Sequence, residues 1–489
     1  MDMSNEHRGG FSGSIGLLLS AIGSAVGLGN LWGFPYKMGR SGGFMFLLLY
    51  LLLALFVGIP IMMSEFALGR KTGKGPFGAY RAADKRFTWL GWIGTIVPFL
   101  IMFFYSVLGG YCLFYIWENI VGIVSGMPTG MDTFVYMITH KGVSILVMLL
   151  FLGICFSINR STISEGVEKF NKIGMPALAV MLIIIIARAL SLPHAEEGLK
   201  FMFVPGYAVD GGFIESTPSA INVLATAGGQ MFFSLSLAMG IMIAYGSYIP
   251  KGEPLTRSSI IVTVSDTLIA LLAGFAVIPA AVANGIAQGI PVSQIKLSGP
   301  LLLFVTLQDV FTAMGPIGGV FGIIFFLLVL IAAITSAISL IEAASVHFID
   351  VALEKGKTGA RPRIVLIVCI LIAIGGTLVA ADGLGSNGFA PWQVFGMADA
   401  SAGAWCEDWL DFFDLFAEGI MMPFGAMMMC IMFGWFNKKD YLLDEIHDGS
   451  GSGTALDGFW WFCTRYVAPI AMFFILLAQI DSFFSLGWF

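Results

Sequence analysis

Ser24-Ala25-Val26-Gly27-Leu28-Gly29-Asn30 interrupts the first long apolar run of this 489-residue chain, and Ser234-Leu235-Ser236-Leu237-Ala238-Met239-Gly240, preceded by Gly228-Gly229-Gln230, interrupts the sixth. Glycines and small polar residues weaken a helix, so each stretch predicts a short unwound segment at mid-membrane depth. Unwound backbone there leaves amides and carbonyls without partners. A bilayer tolerates that only where the segment is buried in protein or lines a cavity. The free half-helix N-terminus then attracts a carboxylate, and free carbonyls attract a cation. One such stretch by itself reads better as tight packing of small residues between helices. Two of them, in the first and sixth runs and so five spans apart, point instead to inverted repeats around a midplane binding site.

The surrounding sequence is that of a polytopic α-helical membrane protein. Apolar residues make up 57% of the chain and charged residues only 11%, where a soluble domain carries about 25% charged residues. The mean hydropathy is +0.89. Eleven runs have the length of a spanning helix, at 11–40, 43–69, 88–124, 142–159, 167–190, 217–249, 257–286, 315–353, 362–381, 411–436 and 459–486. They are continuous rather than alternating, which excludes a transmembrane β-barrel. Lysine and arginine crowd the loops after even-numbered spans (Arg70, Lys71, Lys74, Arg81, Lys85 and Arg86 after the second; Lys355, Lys357, Arg361 and Arg363 after the eighth) and are sparse in the odd ones. The positive-inside rule then puts the N-terminus and even loops in the cytoplasm of a multi-pass plasma (inner) membrane protein, and the C-terminus outside.

The expected organisation is a cytoplasmic segment 1–10, a first repeat 11–190, an extracellular loop 191–216, a second repeat 217–436, a cytoplasmic loop 437–458, and a peripheral last helix with an extracellular tail, 459–489. Met1 to Gly10 is short and polar and has no leader pattern.

Other function classes find little support. A net charge of −6 without a basic, aromatic-rich tract gives no nucleic-acid signature. The six cysteines are scattered, with no C-x-x-C pair, and most lie in apolar runs where cysteine acts as a small hydrophobe. The five histidines are dispersed, and no nucleophile, base or metal set converges on them, so an embedded enzyme is not expected.

Ser24 to Tyr36, SAVGLGNLWGFPY, resembles the helix 1 signature of the neurotransmitter:sodium symporter family. The resemblance extends to Gly58-Ile59-Pro60 with Glu65 and Gly69-Arg70, to Gln230–Tyr248, to Thr335-Ser336 and to Asp414. It implies a five-plus-five inverted repeat, alternating access and symport driven by sodium, with two ions expected. Carried over by position, the first sodium site uses the Ala25 carbonyl, Asn30, Ser234, Asp266 and the substrate carboxylate. The second uses the carbonyls of Gly23, Val26 and Ala332 with the hydroxyls of Thr335 and Ser336. Such oxygen ligands suit a hard cation. Without the resemblance, Thr335 and Ser336 would read as hydroxyls bonded to their own backbone.

Asp266 is an acid inside an apolar run, which is functional by default. Chloride-dependent relatives carry neutral residues here and a serine one turn later, whereas this chain has Asp266 and Ala270. The carboxylate would take chloride's place, so chloride-independent transport is expected. The substrate carboxylate is expected on the amides of Leu28 and Gly29 and the Tyr105 hydroxyl, and its amine on the carbonyls of Ala25, Phe233, Ser234 and Ser236. The side chain would lie against Ile101, Phe233, Met239 and Leu340, with Ser336 at the edge. Gly27 stands where amine-carrying relatives have an aspartate, which favours an amino-acid zwitterion, neutral and hydrophobic or aromatic. A proton-coupled carrier and a non-transporting sensor on the same fold remain open alternatives. The resemblance also allows a homodimer.

One departure concerns the outer gate. The family pairs an arginine on helix 1 with an aspartate on helix 10. Asp414 matches the aspartate, but Gly33 occupies the arginine position. Lys37, or failing it Arg40, is expected to reach Asp414 instead. Tyr105 and Phe233 would form an aromatic lid. On the inner side the expected pair is Arg8 and Asp350, with Tyr248 and Glu342 nearby and Phe11 in place of the usual tryptophan. Glu65 is expected to brace the unwound part of helix 1.

Overall fold

A computed structural model describes residues 11, 13–295, 297, 301–447 and 455–489. Among them there is no β-strand. The first run forms α1 (Ser14–Ala25) and α2 (Gly29–Arg40), bent by 44° at the predicted break. There follow α3 (Phe44–Thr72), α4 (Lys85–Ser125), α5 (Lys141–Asn159) and α6 (Ser164–Leu190). The sixth run forms α7 (Ala220–Ser234) and α8 (Ile241–Gly246). Beyond it lie α9 (Leu255–Ala287), α10 (Pro316–Glu354), α11 (Arg361–Asp382) and α12 (Trp409–Phe436). A short helix, α13 (Asp440–His447), precedes α14 (Leu456–Phe484). The protein is thus an all-helical, multi-pass integral membrane protein.

Among the described residues nine helices are long and apolar enough to cross a bilayer, or ten when α1 and α2 count as one span. Eleven were expected. The difference lies in the sixth run, whose interruption leaves two halves that are each too short to qualify.

Prolines explain much of the irregular helix geometry. Widened turns over Gly29–Gly33, Ala54–Gly58, Leu415–Met421 and Cys463–Val467 each end two residues before a proline: Pro35, Pro60, Pro423 and Pro469. A proline has no N–H to donate, and its ring crowds the carbonyl four residues earlier. In all four cases that carbonyl lies inside the widened turn, which moves it aside.

The core is built round α10 and α4, against which α1, α5 and α11 pack. At one crossing, Gly69 of α3 meets α8 so closely that a Cβ would collide with the Ile243 carbonyl oxygen, and a Cβ at Gly246 would come within 2.6 Å of the Phe66 carbonyl oxygen. These contacts hold α8 against α3.

Candidate cation and substrate site

The interruption of the first run starts at Val26, whose backbone is extended (φ −78°, ψ 102°). In the sixth run Ser236, Ala238 and Gly240 all have positive φ (53°, 59° and 78°). For serine and alanine that conformation is costly and persists only where surroundings impose it. One such contact is visible. The Ala238 N–H donates to Glu65 Oε1 at 2.7 Å, and Glu65 is fully buried on α3. The expectation for Glu65 is corrected here: its carboxylate braces the break in the sixth run rather than that in the first. The unwound Ala238 amide needs an acceptor, and Glu65 supplies one.

The two breaks touch through serines. Ser24 Oγ donates to Ser236 Oγ at 3.2 Å, and Ser236 Oγ donates to the Ser24 carbonyl at 3.0 Å.

The residues expected at the first cation site come together. Asp266 on α9 is fully buried, not a water-facing helix end. Its carboxylate accepts from Asn30 Nδ2 at 2.7 Å, Ser234 Oγ at 2.9 Å and Tyr50 Oη at 3.3 Å. Asn30 Oδ1 in turn accepts the Gly27 N–H at 3.0 Å, fixing the amide orientation beside the break. Ala25 lines the adjoining cavity.

At the second expected site, Thr335 Oγ1 donates to the carbonyls of Ala332 (2.8 Å) and Val26 (3.2 Å). Ser336 Oγ lies 2.9 Å from the Ser24 carbonyl and 3.4 Å from that of Val26. Gly23 lies one turn before and packs against Asn171 of α6; a Cβ there would sit 2.7 Å from Asn171 Oδ1.

Between the breaks is a small central cavity. Tyr105, Phe233, Ser236, Met239, Ser336 and Leu340 line it together with Ser24, Ala25, Gly27 and Gly29. The Leu28 N–H donates to Tyr105 Oη at 3.1 Å. Ile101 is fully buried but lies outside this lining. A Cβ on Gly27 would collide with Ser336 Oγ and lie 2.8 Å from Tyr105 Oη, so no aspartate fits without displacing both.

Phe233 also faces a second cavity of about 650 Å³ on the side away from the lysine- and arginine-rich loops, lined among others by Trp32, Lys37, Gln230, Asp414 and Glu418. Phe233 thus lines both cavities, and its ring centroid lies 6.4 Å from that of Tyr105. The space an arginine at position 33 would enter is filled by Gln230: its Oε1 lies 2.8 Å from where a Gly33 Cβ would be, and its Nε2 donates to the Gly29 carbonyl at 2.7 Å. Lys37 is buried, and its ammonium pairs with Glu418. The expected partner was Asp414. Glu418 lies one turn beyond Asp414 and meets the ammonium directly, while Asp414 stands close enough to add to its field.

At the opposite end, Glu342 accepts from Tyr248 Oη at 2.8 Å and from the two terminal Arg361 guanidinium nitrogens, Nη1 and Nη2, at 3.2 and 2.5 Å. Arg361 Nε also donates to the Ser161 carbonyl at 2.6 Å. Phe11 packs edge-on against Tyr245 and Tyr248. Asp350 Oδ2 accepts the Gly75 N–H at 3.0 Å. Arg8, its expected partner, lies outside the described residues. Nearby, Glu445 of α13 binds Arg70 Nε at 2.6 Å and Lys251 at 2.8 Å.

Sequence reasoning missed Ser24, Tyr50, Glu418, Arg361 and Glu445 as participants. Glu418 had a readable signal, four residues after Asp414 on the same helix face. Tyr50 had none within its apolar run.

A family model described as the sodium:neurotransmitter symporter family matches residues 8–125 and 130–488. The chain is 30% identical over 482 residues to an uncharacterized sodium-dependent transporter, YhdH, of Bacillus subtilis, covering 98% of this chain and 99% of the relative. It is 30% identical over 502 residues to an uncharacterized sodium-dependent transporter, MJ1319, of Methanocaldococcus jannaschii, covering 99% and 93%. The crystal structure of MhsT in complex with L-phenylalanine superposes with a TM-score of 0.82 at 31% identity, covering 96% of this chain and 100% of that one. The chain belongs to the sodium:neurotransmitter symporter family and is a sodium-dependent secondary transporter, not an enzyme.

Proposed function

We propose that the protein carries a neutral amino acid into the cell together with two sodium ions, without chloride, by alternating access between two five-helix repeats. The observation that carries this reading is the meeting of two interrupted helices beside a buried carboxylate, Asp266, whose hydrogen-bond partners Asn30, Tyr50 and Ser234 are all neutral. A buried charge of this kind is costly unless a cation joins it. Asn30 and Ser234 stand beside it as further oxygen ligands, with the Ala25 carbonyl and the substrate carboxylate completing the first sodium site. The second sodium would take the carbonyls of Gly23, Val26 and Ala332 and the hydroxyls of Thr335 and Ser336. Thr335 and Ser336 already point at the Val26 carbonyl.

The substrate carboxylate would bridge the first sodium and the Leu28 and Gly29 amides, with Tyr105 as a further donor. Gly27 leaves no room for an acidic side chain, so the carboxylate must come from the substrate. In this reading the chain crosses the membrane eleven times with its N-terminus inside. Lys37 with Glu418 and Asp414 forms the outer gate above the Tyr105–Phe233 lid. Glu342, Arg361, Tyr248 and Asp350 form the inner one, with Arg8 as a further member.

Reconstitution into proteoliposomes tests this. Uptake of labelled neutral amino acids is expected with an inward sodium gradient and unchanged when gluconate replaces chloride. Uptake indifferent to sodium rejects the reading, and loss of uptake in gluconate rejects its chloride-independent part.

A further inference from the structure

The apolar wall of the central cavity, Met239 and Leu340, suits a hydrophobic side chain, but its floor has a different chemistry. Ser24, Ser236 and Ser336 converge there, all three nearly inaccessible to solvent. Each hydroxyl has one proton to donate, and all three are committed: Ser24 to Ser236 Oγ, and both Ser236 and Ser336 to the Ser24 carbonyl. What remains on the floor is lone pairs. Those of Ser336 are claimed by the second sodium in the function proposed above, on which this inference rests. Ser24 and Ser236 both line the cavity, where their oxygens can accept from a donor that a ligand brings.

Space points the same way. The cavity measures about 20 Å³, room for one or two waters, so every amino acid must part its walls to enter and one with a small side chain parts them least. Tyr105, Met239 and Leu340 close it on the other sides. A benzyl or indole ring would have to displace these walls furthest, and it would bring the serine oxygens no donor.

We infer that Ser24, with Ser236, forms a side-chain subsite that selects small hydroxylated amino acids, serine and threonine, whose hydroxyl donates to Ser24 Oγ. Ser24 is then a specificity-determining residue that the family positions did not single out. The competing occupant is an aromatic amino acid, such as the L-phenylalanine bound in the MhsT structure.

The test is competition for sodium-driven uptake in proteoliposomes, using serine, threonine, alanine and phenylalanine as inhibitors. In the wild type, serine and threonine should inhibit at lower concentration than alanine, and phenylalanine least well. Ser24→Ala should reduce the serine-over-alanine preference by about fivefold, the scale of one neutral hydrogen bond, and Ser24→Thr should retain it. Phenylalanine inhibiting more strongly than serine in the wild type overturns the inference. So does an unchanged serine-to-alanine ratio in Ser24→Ala. If Ser24→Ala does not fold, the wild-type order and Ser24→Thr decide by the same criteria. Sodium-driven uptake with an aromatic preference overturns this inference alone, whereas no sodium-driven uptake of any neutral amino acid overturns the function on which it rests.

Discussion

Asp266 concentrates the ion chemistry in one side chain. Its two oxygens accept from an amide and two hydroxyls, and a sodium ion in the same shell would be held by full charge rather than by dipoles alone. Asp266→Asn keeps the size of the side chain and removes the charge. Hydrogen bonds to a charged group are worth about 1.5–3 kcal/mol, so the apparent sodium affinity of uptake should fall by roughly 10–100-fold. If the carboxylate does the work of a bound anion, added chloride should recover part of that loss in the variant and none in the wild type. Sodium titrations of uptake in chloride and in gluconate measure both effects. Serine and tyrosine hydroxyls already point into this shell, Ser234 and Tyr50, and they would serve an anion as donors equally well.

At the scale of elements, the crossing of α3 and α8 decides how firmly the second half of the sixth run is held. A methyl group at Gly69 would meet the Ile243 backbone carbonyl, not a side chain that can swing away. The two helices would have to separate, and overpacking of this sort costs about 1–3 kcal/mol. Gly69→Ala is therefore expected to lower thermal stability in detergent and to reduce uptake. Gly153→Ala, at a helical glycine with nothing within 4 Å of its Cβ, should stay within about 0.5 kcal/mol.

The helices themselves were legible in the sequence because continuous apolar runs of about twenty residues have few other readings. The breaks were legible because glycine and serine clustered where no helix end was due. Less was readable from local pattern where the outcome depends on contacts between elements. Glu65 is conspicuous as an acid in an apolar run, but only packing shows that Ala238 is the amide it meets. The segment expected as a loop at 437–458 contains α13, whose Leu442, Leu443 and Ile446 are buried and whose Glu445 joins Arg70 to Lys251. Its apolar spacing was visible, but its partners lie far away in the chain.

Across the whole molecule the two ends are closed by unequal means. The end carrying the basic loops is tied by Glu342–Arg361–Tyr248, by Glu445 with Arg70 and Lys251, and by the rings of Phe11 and Tyr245. At the other end a cavity of about 650 Å³ reaches down to Phe233, and the ion pair of Lys37 and Glu418 stands within it. Both members lie four residues after the positions where the resemblance implies an arginine and an aspartate, so in the gate proposed above the pair sits one turn further along each helix, and Gln230 lies beside Gly33. Removing one member leaves the other charged and buried, which is far more damaging than losing the pair together. Lys37→Glu and Glu418→Lys should each reduce uptake strongly, by tenfold or more on the scale of about 3–5 kcal/mol for an uncompensated buried charge. The double exchange should recover most of it, because the attraction is restored with its polarity reversed. Asp414 makes that recovery incomplete: it stabilises the lysine at 37 and would oppose a glutamate there. Adding Asp414→Asn to the exchanged pair should therefore raise uptake further, whereas the same change on the wild-type background should lower it. Uptake rates for the single, double and triple variants measure this, and single exchanges that transport as well as the wild type would remove the pair from the gate.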